Sequence, residues 1–201
     1  MRKCMKTGGN TPEKGTDMRF IDGKLNGTRI IEPQVFGDHR GFFMETWSKA
    51  AFAAGGIVCD FVQANQSVSA RRGTLRGIHF QRGDKAQAKL VRCLRGAVLD
   101  VAVDLRRSSP TYGQWEAVEL SEENRRQFFI PRGFGHGFVT LTDDAAFAYL
   151  VDAPYAPEAE GGIAWNDPDI GVDWGFSDPV LSEKDRSRPL LRDAVTGFEE
   201  W

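Results

Sequence analysis

Cysteine and histidine are both scarce in this sequence, with three residues of each among 201. The cysteines, Cys4, Cys59 and Cys93, are odd in number and form no C-x-x-C motif, which argues against a disulfide framework or a thiolate zinc site and favours reduced cytosolic thiols. No H-x-H or H-x-x-x-H pair occurs, although metal-binding histidines are commonly that close in sequence. We therefore predict no metal site; the remaining route to one is the convergence of two distant histidines and a carboxylate.

An excess of charge of either sign is also lacking, as is any long apolar run. The 26 Lys and Arg residues against 28 Asp and Glu give a net charge of -2, so binding of nucleic acid or of an anionic membrane is not the expected activity. No run approaches the ~20 apolar residues of a membrane-spanning helix. Arginine outnumbers lysine 18 to 8, and guanidinium groups match phosphate oxygens well, so a small anionic ligand suits the composition.

The length predicts one domain, since soluble domains have roughly 150 residues. The first 18 residues carry charge without the apolar core of a secretion signal, and we expect residues 1–18 to form a disordered leader. The predicted domain covers residues 19–190. Residues 191–201 are expected to form a C-terminal tail.

Short alternating or apolar runs separated by Gly, Pro, Asp and Asn predict about ten strands. The clearest is AVLDVAVDL, residues 97–105, in which one face is apolar and the other carries Asp100 and Asp104. Short helices are predicted after Ser48 and Ser182, which are good N-cap residues. The other predicted strands lie at residues 29–31, 41–47, 61–63, 75–81, 89–93, 115–120, 127–130, 137–141 and 146–151. This pattern favours a mainly β fold, an antiparallel sandwich or barrel, and a jelly roll suits the length best.

His79 is the most informative histidine because it lies in the alternating strand LRGIHFQ. On a regular strand Arg76 would point to the opposite face, so the two residues share a pocket only through a bulge near Gly77 or through approach around an edge or from a neighbouring subunit. Lys89 begins another apolar strand and is either a solvated rim residue or a charge aimed into a barrel mouth. Tyr149, in FAYL, is also compatible with a core aromatic whose hydroxyl reaches an edge.

Nine motifs follow one another between about residues 29 and 189: FGDHRGFFMETW, FVQANQSVS, LRGIHFQ, AKLVRC, DVAVDLRRSSPTYGQW, IPRGFGHGFVTL, AYLVDAPYAPEAEG, WNDPDIGVDW and LSEKD. Together they resemble the dTDP-4-dehydrorhamnose 3,5-epimerase family, which serves dTDP-rhamnose and hence polysaccharide biosynthesis. The resemblance implies a cytoplasmic, cupin-type jelly-roll homodimer. It also implies an isomerase that needs no cofactor and inverts C3 and C5 of a dTDP-linked 4-keto-6-deoxyhexose.

The same resemblance implies roles for individual residues. His79 corresponds to the catalytic base, Asp185 of LSEKD to its supporting carboxylate and Tyr149 to the acid. Lys89 corresponds to a catalytic cation in the sugar region, and Tyr155 to the aromatic residue that stacks on thymine. Further nucleotide- or sugar-contacting positions correspond to Arg40, Glu45, Gln63, Asn65, Arg76, His136, Glu160 and Lys184.

These residue types suit inversion of a carbon beside a ketone, which requires loss of its proton, an enolate, and return of a proton on the opposite face. Histidine titrates near neutral pH, and a carboxylate on its far nitrogen fixes the tautomer. A cation at Lys89 stabilises the charge that grows on the C4 oxygen, and the Tyr149 phenol protonates the other face. One departure from the family is Leu150, at a position where lysine is frequent.

Three other functions are weighed against the 3,5-epimerase. A mono-epimerase acting on a related nucleotide sugar would introduce solvent deuterium at C3 or C5 only. A jelly roll that binds a nucleotide sugar without turnover would show no exchange at all. A metal-dependent cupin enzyme would contain stoichiometric metal after purification.

Overall fold

The computed structural model describes residues 18–199, so the predicted leader lies outside the described residues except for Met18. The strands within this range are β1 Arg19–Asp22, β2 Arg29–Glu32, β3 Phe36–Asp38, β4 Gly41–Phe43, β5 Gln63–Ser69, β6 Leu75–Gln81, β7 Lys89–Arg95, β8 Ala97–Asp104, β9 Trp115–Ser121, β10 Gln127–Ile130, β11 Phe134–Thr140, β12 Ala145–Val151 and β13 Glu160–Gly162. The helices are α1 Lys49–Ala54 and α2 Glu183–Arg186, and single 3-10 turns lie at Gly83–Lys85, Pro157–Ala159 and Leu191–Asp193. Over this described range, neither helix has the length and apolar character that crossing a bilayer would require.

Two antiparallel sheets pack face to face. The six-stranded sheet has the order β1-β2-β10-β7-β12-β5, the five-stranded sheet has the order β13-β6-β11-β8-β9, and β3 and β4 form a separate hairpin. Neighbours such as β10 and β2 are distant in sequence, which is the crossover pattern of a jelly roll. The predicted mainly β, cupin-type jelly roll with a few short helices is therefore confirmed.

Apolar side chains fill three layers around these sheets. Phe128, Phe138 and Phe147 belong to a cluster between the sheets, where β8 contributes the face that also holds Asp100. A second cluster lies on the outer side of the five-stranded sheet, where the chain after β13 covers it with residues that include Phe198. A third cluster lies between α1 and the six-stranded sheet. The strands that carry His79 and Tyr149 thus pack against these apolar clusters.

Both helices begin where the sequence predicts. Ser48 Oγ accepts a hydrogen bond from the Ala51 amide at 3.3 Å, and Ser182 Oγ accepts one from the Asp185 amide at 3.1 Å. The first cap holds α1 so that Phe52 is buried against the six-stranded sheet. The second cap fixes the backbone that presents Asp185.

Several strand boundaries differ from the predicted ones. β5 occupies residues 63–69 instead of 61–63, because the more buried positions of this edge strand are polar while Ala64 and Val68 are exposed, so the strand produces little apolar signal. β4 ends at Phe43 instead of residue 47. The sequence pattern does not predict β1, β3 or β13, which have three or four residues each.

Candidate active site

A cavity of about 320 Å³ lies between the two sheets and is bordered by α2. The six-stranded sheet contributes residues from β5, β7 and β12, and the five-stranded sheet contributes residues from β6, β11 and β13. Eight of the thirteen predicted site residues line it: Arg76, His79, Lys89, His136, Tyr149, Glu160, Lys184 and Asp185. The fold therefore gathers titratable groups from distant parts of the sequence around one cavity.

A bulge in β6 brings Arg76 and His79 into the same cavity. His79 pairs with His136 and Arg76 pairs with Phe138, so three steps along β6 match two steps along β11. The additional residue reverses the side-chain alternation between the two positions. Gly77 lies inside this bulge at a φ of 144°, a region that favours glycine. Of the three explanations that the sequence allows for Arg76 and His79 sharing a pocket, the structure therefore shows the bulge near Gly77.

His79 and Asp185 form a hydrogen-bonded pair. His79 Nε2 lies 2.5 Å from Asp185 Oδ1, and Ser182 Oγ donates to Asp185 Oδ2 at 2.9 Å. Asp185 is buried, while the His79 side chain is 35% exposed. Burial alone would raise the pKa of Asp185, but the hydrogen bonds and charge of His79 and the Ser182 hydroxyl outweigh it and hold that pKa below its usual value. Asp185 is therefore ionised and orients the ring.

A second histidine pair lies deeper in the same cavity. His136 Nε2 lies 2.9 Å from Asp100 Oδ2, and His136 Nδ1 lies 3.5 Å from Lys89 Nζ. All three side chains are buried. Burial lowers the pKa of Lys89 to about 8 and also lowers the pKa of His136, although the Asp100 charge opposes both shifts.

Asp100 is the residue of this group that the predicted site omits. Its signal in the sequence is a carboxylate on the second face of the alternating β8 pattern, a face that the structure also buries between the sheets. That pattern alone does not indicate which histidine the carboxylate meets. The pairing of β8 with β11, which sets Ala102 opposite His136, brings them together.

Tyr149 enters the cavity from the sheet opposite His79. It lies on β12 between β5 and β7, and it packs against Phe147 at a ring separation of 6.2 Å. Burial raises the pKa of its phenol, and the positive charge of Arg76 opposes that shift. Leu150 faces the other way and packs with the cluster beneath α1, so the departure at this position leaves the cavity lining unchanged.

Glu160 collects three hydrogen bonds at the outer side of the cavity. Tyr155 Oη and Lys184 Nζ each donate to Glu160 Oε2 at 2.7 Å, and Arg188 Nη2 donates to Oε1 at 2.5 Å. These donors overcome partial burial and lower the pKa of Glu160 to about 2. Gln63 Oε1 accepts from the Tyr155 amide at 3.1 Å.

The remaining predicted residues lie away from this cavity in one protomer. Gln63 Nε2 donates to Asn65 Oδ1 at 2.8 Å on β5, and the strand register sets Asn65 opposite Tyr149, on the same face of the six-stranded sheet, although Asn65 does not line the cavity. Arg40 lies at the exposed tip of the β3–β4 hairpin and pairs with Asp38 at 2.5 Å. Glu45 accepts a hydrogen bond from the Ser48 hydroxyl at 3.0 Å. Among residues 18–199, no three His, Cys, Asp or Glu side chains are grouped closely enough to hold a metal ion.

Comparison with known proteins identifies the family. The family model described as dTDP-4-dehydrorhamnose 3,5-epimerase matches residues 22–193. The chain belongs to the dTDP-4-dehydrorhamnose 3,5-epimerase family. A family member from Methanothermobacter thermautotrophicus is 53% identical over 180 residues, which are 88% of this chain and 96% of that protein.

Solved structures of dTDP-4-dehydrorhamnose 3,5-epimerases have the same fold. The enzyme from Bacillus anthracis, solved with TDP and PPi bound, is 44% identical with a TM-score of 0.84 and covers 86% of this chain and 99% of its own. The Legionella pneumophila protein, described as a dTDP-6-deoxy-D-glucose-3,5-epimerase and solved in complex with dTDP-4-keto-L-rhamnose, is 47% identical with a TM-score of 0.83. The match covers 88% of this chain and 94% of the Legionella chain. The predicted family, 3,5-epimerase function and isomerase class are thereby confirmed.

Proposed function

We propose that this cavity converts dTDP-4-dehydro-6-deoxy-D-glucose to dTDP-4-dehydro-L-rhamnose by inverting C3 and C5. The observation that supports this most directly is the placement of the His79–Asp185 pair and Tyr149 on opposite sheets, with Lys89 in the same cavity. Inversion needs a base on one face of the sugar ring and an acid on the other. The reaction is redox-neutral proton transfer, so it requires no redox cofactor.

His79 is the proposed base. Asp185 accepts a hydrogen bond from Nε2, which leaves Nδ1 without the proton and able to take one from C3 or C5. The carboxylate then stabilises the imidazolium that forms. The half-buried position of the ring allows contact with substrate and exchange of the acquired proton with solvent.

Lys89 is the proposed stabiliser of the enolate. Its ammonium group is buried and lies beside the Nδ1 of His136, whose Nε2 proton is held by Asp100. A fixed cation in a buried site stabilises charge that develops on the C4 oxygen more than it stabilises the neutral ketone. We assign His136 and Asp100 to holding Lys89 in this position.

Tyr149 is the proposed acid. Because burial raises the pKa of its phenol, the hydroxyl is protonated at neutral pH. It can then donate to the face of the enolate opposite His79, and the nearby Arg76 guanidinium stabilises the phenolate that results.

Tyr155, Glu160 and Lys184 are proposed to bind the nucleotide. Tyr155 is 54% exposed although it is aromatic, which leaves a ring face free for a base. Arg76 and Lys184 supply positive charge at the cavity wall for the diphosphate. Gln63 supports this end of the site through the Tyr155 amide, and Asn65 supports Gln63.

A homodimer is proposed as the active assembly. The β3–β4 hairpin exposes Phe36, Phe42 and Phe43, the last of them at 70%, and an apolar surface of this kind is typical of an interface. Arg40 and Glu45 adjoin this surface and lie outside the cavity of their own protomer, so a second copy gives them a route to substrate. Sedimentation should show that the wild type is a dimer and that Phe43→Asp is a monomer. Val195→Asp is the control, because Val195 is exposed and apolar but lies outside the hairpin surface, and this variant should remain a dimer. A monomeric wild-type protein would contradict this assembly.

A cytoplasmic location is likewise proposed, because the reaction uses a nucleotide sugar and the two described cysteines are unpaired.

Positional isotope incorporation tests the function. The purified protein, incubated with dTDP-4-dehydro-6-deoxy-D-glucose in D2O, should introduce deuterium at both C3 and C5, as measured by NMR. Deuterium at one carbon only would identify a mono-epimerase. Saturable binding without exchange would identify a binding protein, and activity that depends on a stoichiometric metal would identify a metal-dependent cupin enzyme; each of these results would overturn the proposal.

A further inference from the structure

Arg188 is absent from the predicted site, yet it contacts Glu160, a residue of the cavity wall. It lies three residues after Asp185, and its Nη2 donates to Glu160 Oε1 at 2.5 Å. Its side chain is 13% exposed, whereas that of Lys184, which also pairs with Glu160, is 60% exposed. The buried partner is the more restricted of the two.

The absence of a side chain at Gly162 in β13 leaves room for the Arg188 side chain. Gly162 pairs with His79 across the strand, and a Cβ atom at Gly162 would lie 2.5 Å from Arg188 Nε and 2.8 Å from Arg188 Cδ. Both distances are far shorter than any normal contact. The Arg188 side chain therefore passes directly over Gly162, which has no side chain. Gly162 lies next to β6, the strand that carries His79, the proposed base.

Glu160 links Arg188 to the proposed nucleotide platform. One carboxylate oxygen accepts from Arg188, and the other accepts from the Tyr155 hydroxyl. An exposed lysine pair contributes little orientation because its long side chain is mobile and solvated, whereas the largely buried Arg188 side chain has little freedom to move and holds in place the carboxylate oxygen that it contacts. Arg188 is therefore the partner that sets the direction of the Glu160 carboxylate.

We propose that Arg188 is a positioning residue for nucleotide binding, which fixes Glu160 and, through Glu160, the Tyr155 ring. This inference rests on the proposed function of Tyr155 as the base-stacking residue. It differs from a purely structural role, in which Arg188 would stabilise the fold without affecting the nucleotide.

Calorimetric titration with dTDP tests the proposal without any need for turnover. Arg188→Ala should raise the Kd for dTDP by about fivefold, the effect expected from losing roughly 1 kcal/mol of orientation. Arg186→Ala is the matched control. This arginine of α2 is 51% exposed, and its Nε lies 3.9 Å from Glu183 Oε1, so its removal deletes an arginine from the same helix without touching Glu160. The control should bind dTDP as the wild type does.

A double-mutant cycle separates positioning from an independent contact. If Arg188 acts through Tyr155, then Arg188→Ala in a Tyr155→Phe background should add little to the Kd, since the hydroxyl that Glu160 holds is already absent. Fully additive effects, or an unchanged Kd in Arg188→Ala, would overturn the proposal. An unchanged Kd with a lowered Tm would identify the purely structural role.

Gly162→Ala tests the same interaction from the other side, and the single variant gives a result even if Arg188→Ala folds poorly; an unchanged Kd in Gly162→Ala would contradict the proposal. The added methyl group should displace the guanidinium and weaken dTDP binding by a similar factor, and Gly162→Ala with Arg188→Ala should be no weaker than Arg188→Ala alone. Additive loss in the double variant would contradict the proposal. Because wild-type exchange in D2O is measured separately, failure of the epimerase function and failure of this inference give different results.

Discussion

The cavity contains two histidine–carboxylate pairs that differ in exposure and partners. In the first, His79 is 35% exposed and its carboxylate, Asp185, comes from a capped helix turn. In the second, His136 is 8% exposed and its carboxylate, Asp100, comes from the middle of a core strand. The second pair also contacts a cation, since His136 Nδ1 faces Lys89 Nζ.

The contrast indicates which histidine transfers protons. A base must reach the substrate and afterwards exchange its proton, so partial exposure favours His79. A buried histidine beside a lysine resists protonation, because burial and the lysine charge both lower the pKa of His136. The His79–Asp185 pair is thus suited to proton transfer, and the His136–Asp100 pair is suited to holding the Lys89 cation in place.

The largest expected effect comes from breaking the first pair. His79→Ala should lower kcat by about 10²- to 10⁴-fold, the range for loss of a general base, and should leave the Kd for dTDP nearly unchanged. Steady-state kinetics and calorimetry measure the two quantities. His136→Ala should retain detectable deuterium exchange. Equal loss of exchange in both variants would remove the functional difference between the pairs.

Loss of the buried cation should have the next largest effect. Lys89→Met should lower kcat by about 10²- to 10³-fold, as removal of one charge-stabilising group does. In the wild type, the pKa of Lys89 is lowered to about 8, so the ammonium form is lost and kcat should fall above about pH 8. Lys89→Arg should remove this alkaline decline within the measurable range, since guanidinium stays protonated. An unchanged alkaline limb in that variant would assign it to another group.

The sequence predicts the strands of this fold better than the arrangement of the site. The alternating pattern of β8 and the capping serines are local signals, and both match the structure. β5 is misassigned because edge strands need no apolar alternation. His79, Tyr149 and Asp185 are recognisable by family resemblance, yet their meeting depends on sheet pairing that no local pattern encodes.

Two features of the site show why local patterns fail. Arg76 reaches the cavity through a bulge that reverses side-chain alternation, and the sequence offers only Gly77 as a hint of it. Arg188 reaches Glu160 over the gap at Gly162, a contact between segments more than twenty residues apart. Such contacts arise from packing rather than from spacing along the chain.

Removal of the Asp100 charge from the second pair should have a smaller effect on kcat and should shift its pH dependence in one direction. Asp100→Asn keeps the shape of the side chain but removes a negative charge that raises the pKa of Lys89. The alkaline limb of kcat should therefore move to lower pH. The value of kcat at its optimum should fall about tenfold, which corresponds to about 1.4 kcal/mol less transition-state stabilisation. A pH profile from 6 to 9.5 measures both. Asp185→Asn, as a control, should leave the position of the alkaline limb unchanged.

The smallest expected effect is on thermal stability. It tests whether Asp185 is ionised in the folded protein. Its folded pKa is below the ordinary value, so its interactions stabilise the protein above an unfolded pKa of about 3.9 and are lost as pH falls through the folded pKa. Asp185→Asn should therefore lower the Tm by about 3 °C at pH 7. The difference from the wild type should shrink below about pH 4. A Tm difference that stays constant down to pH 2.5 would mean that Asp185 contributes through shape rather than charge, which would leave His79 without an ionised partner in the folded protein.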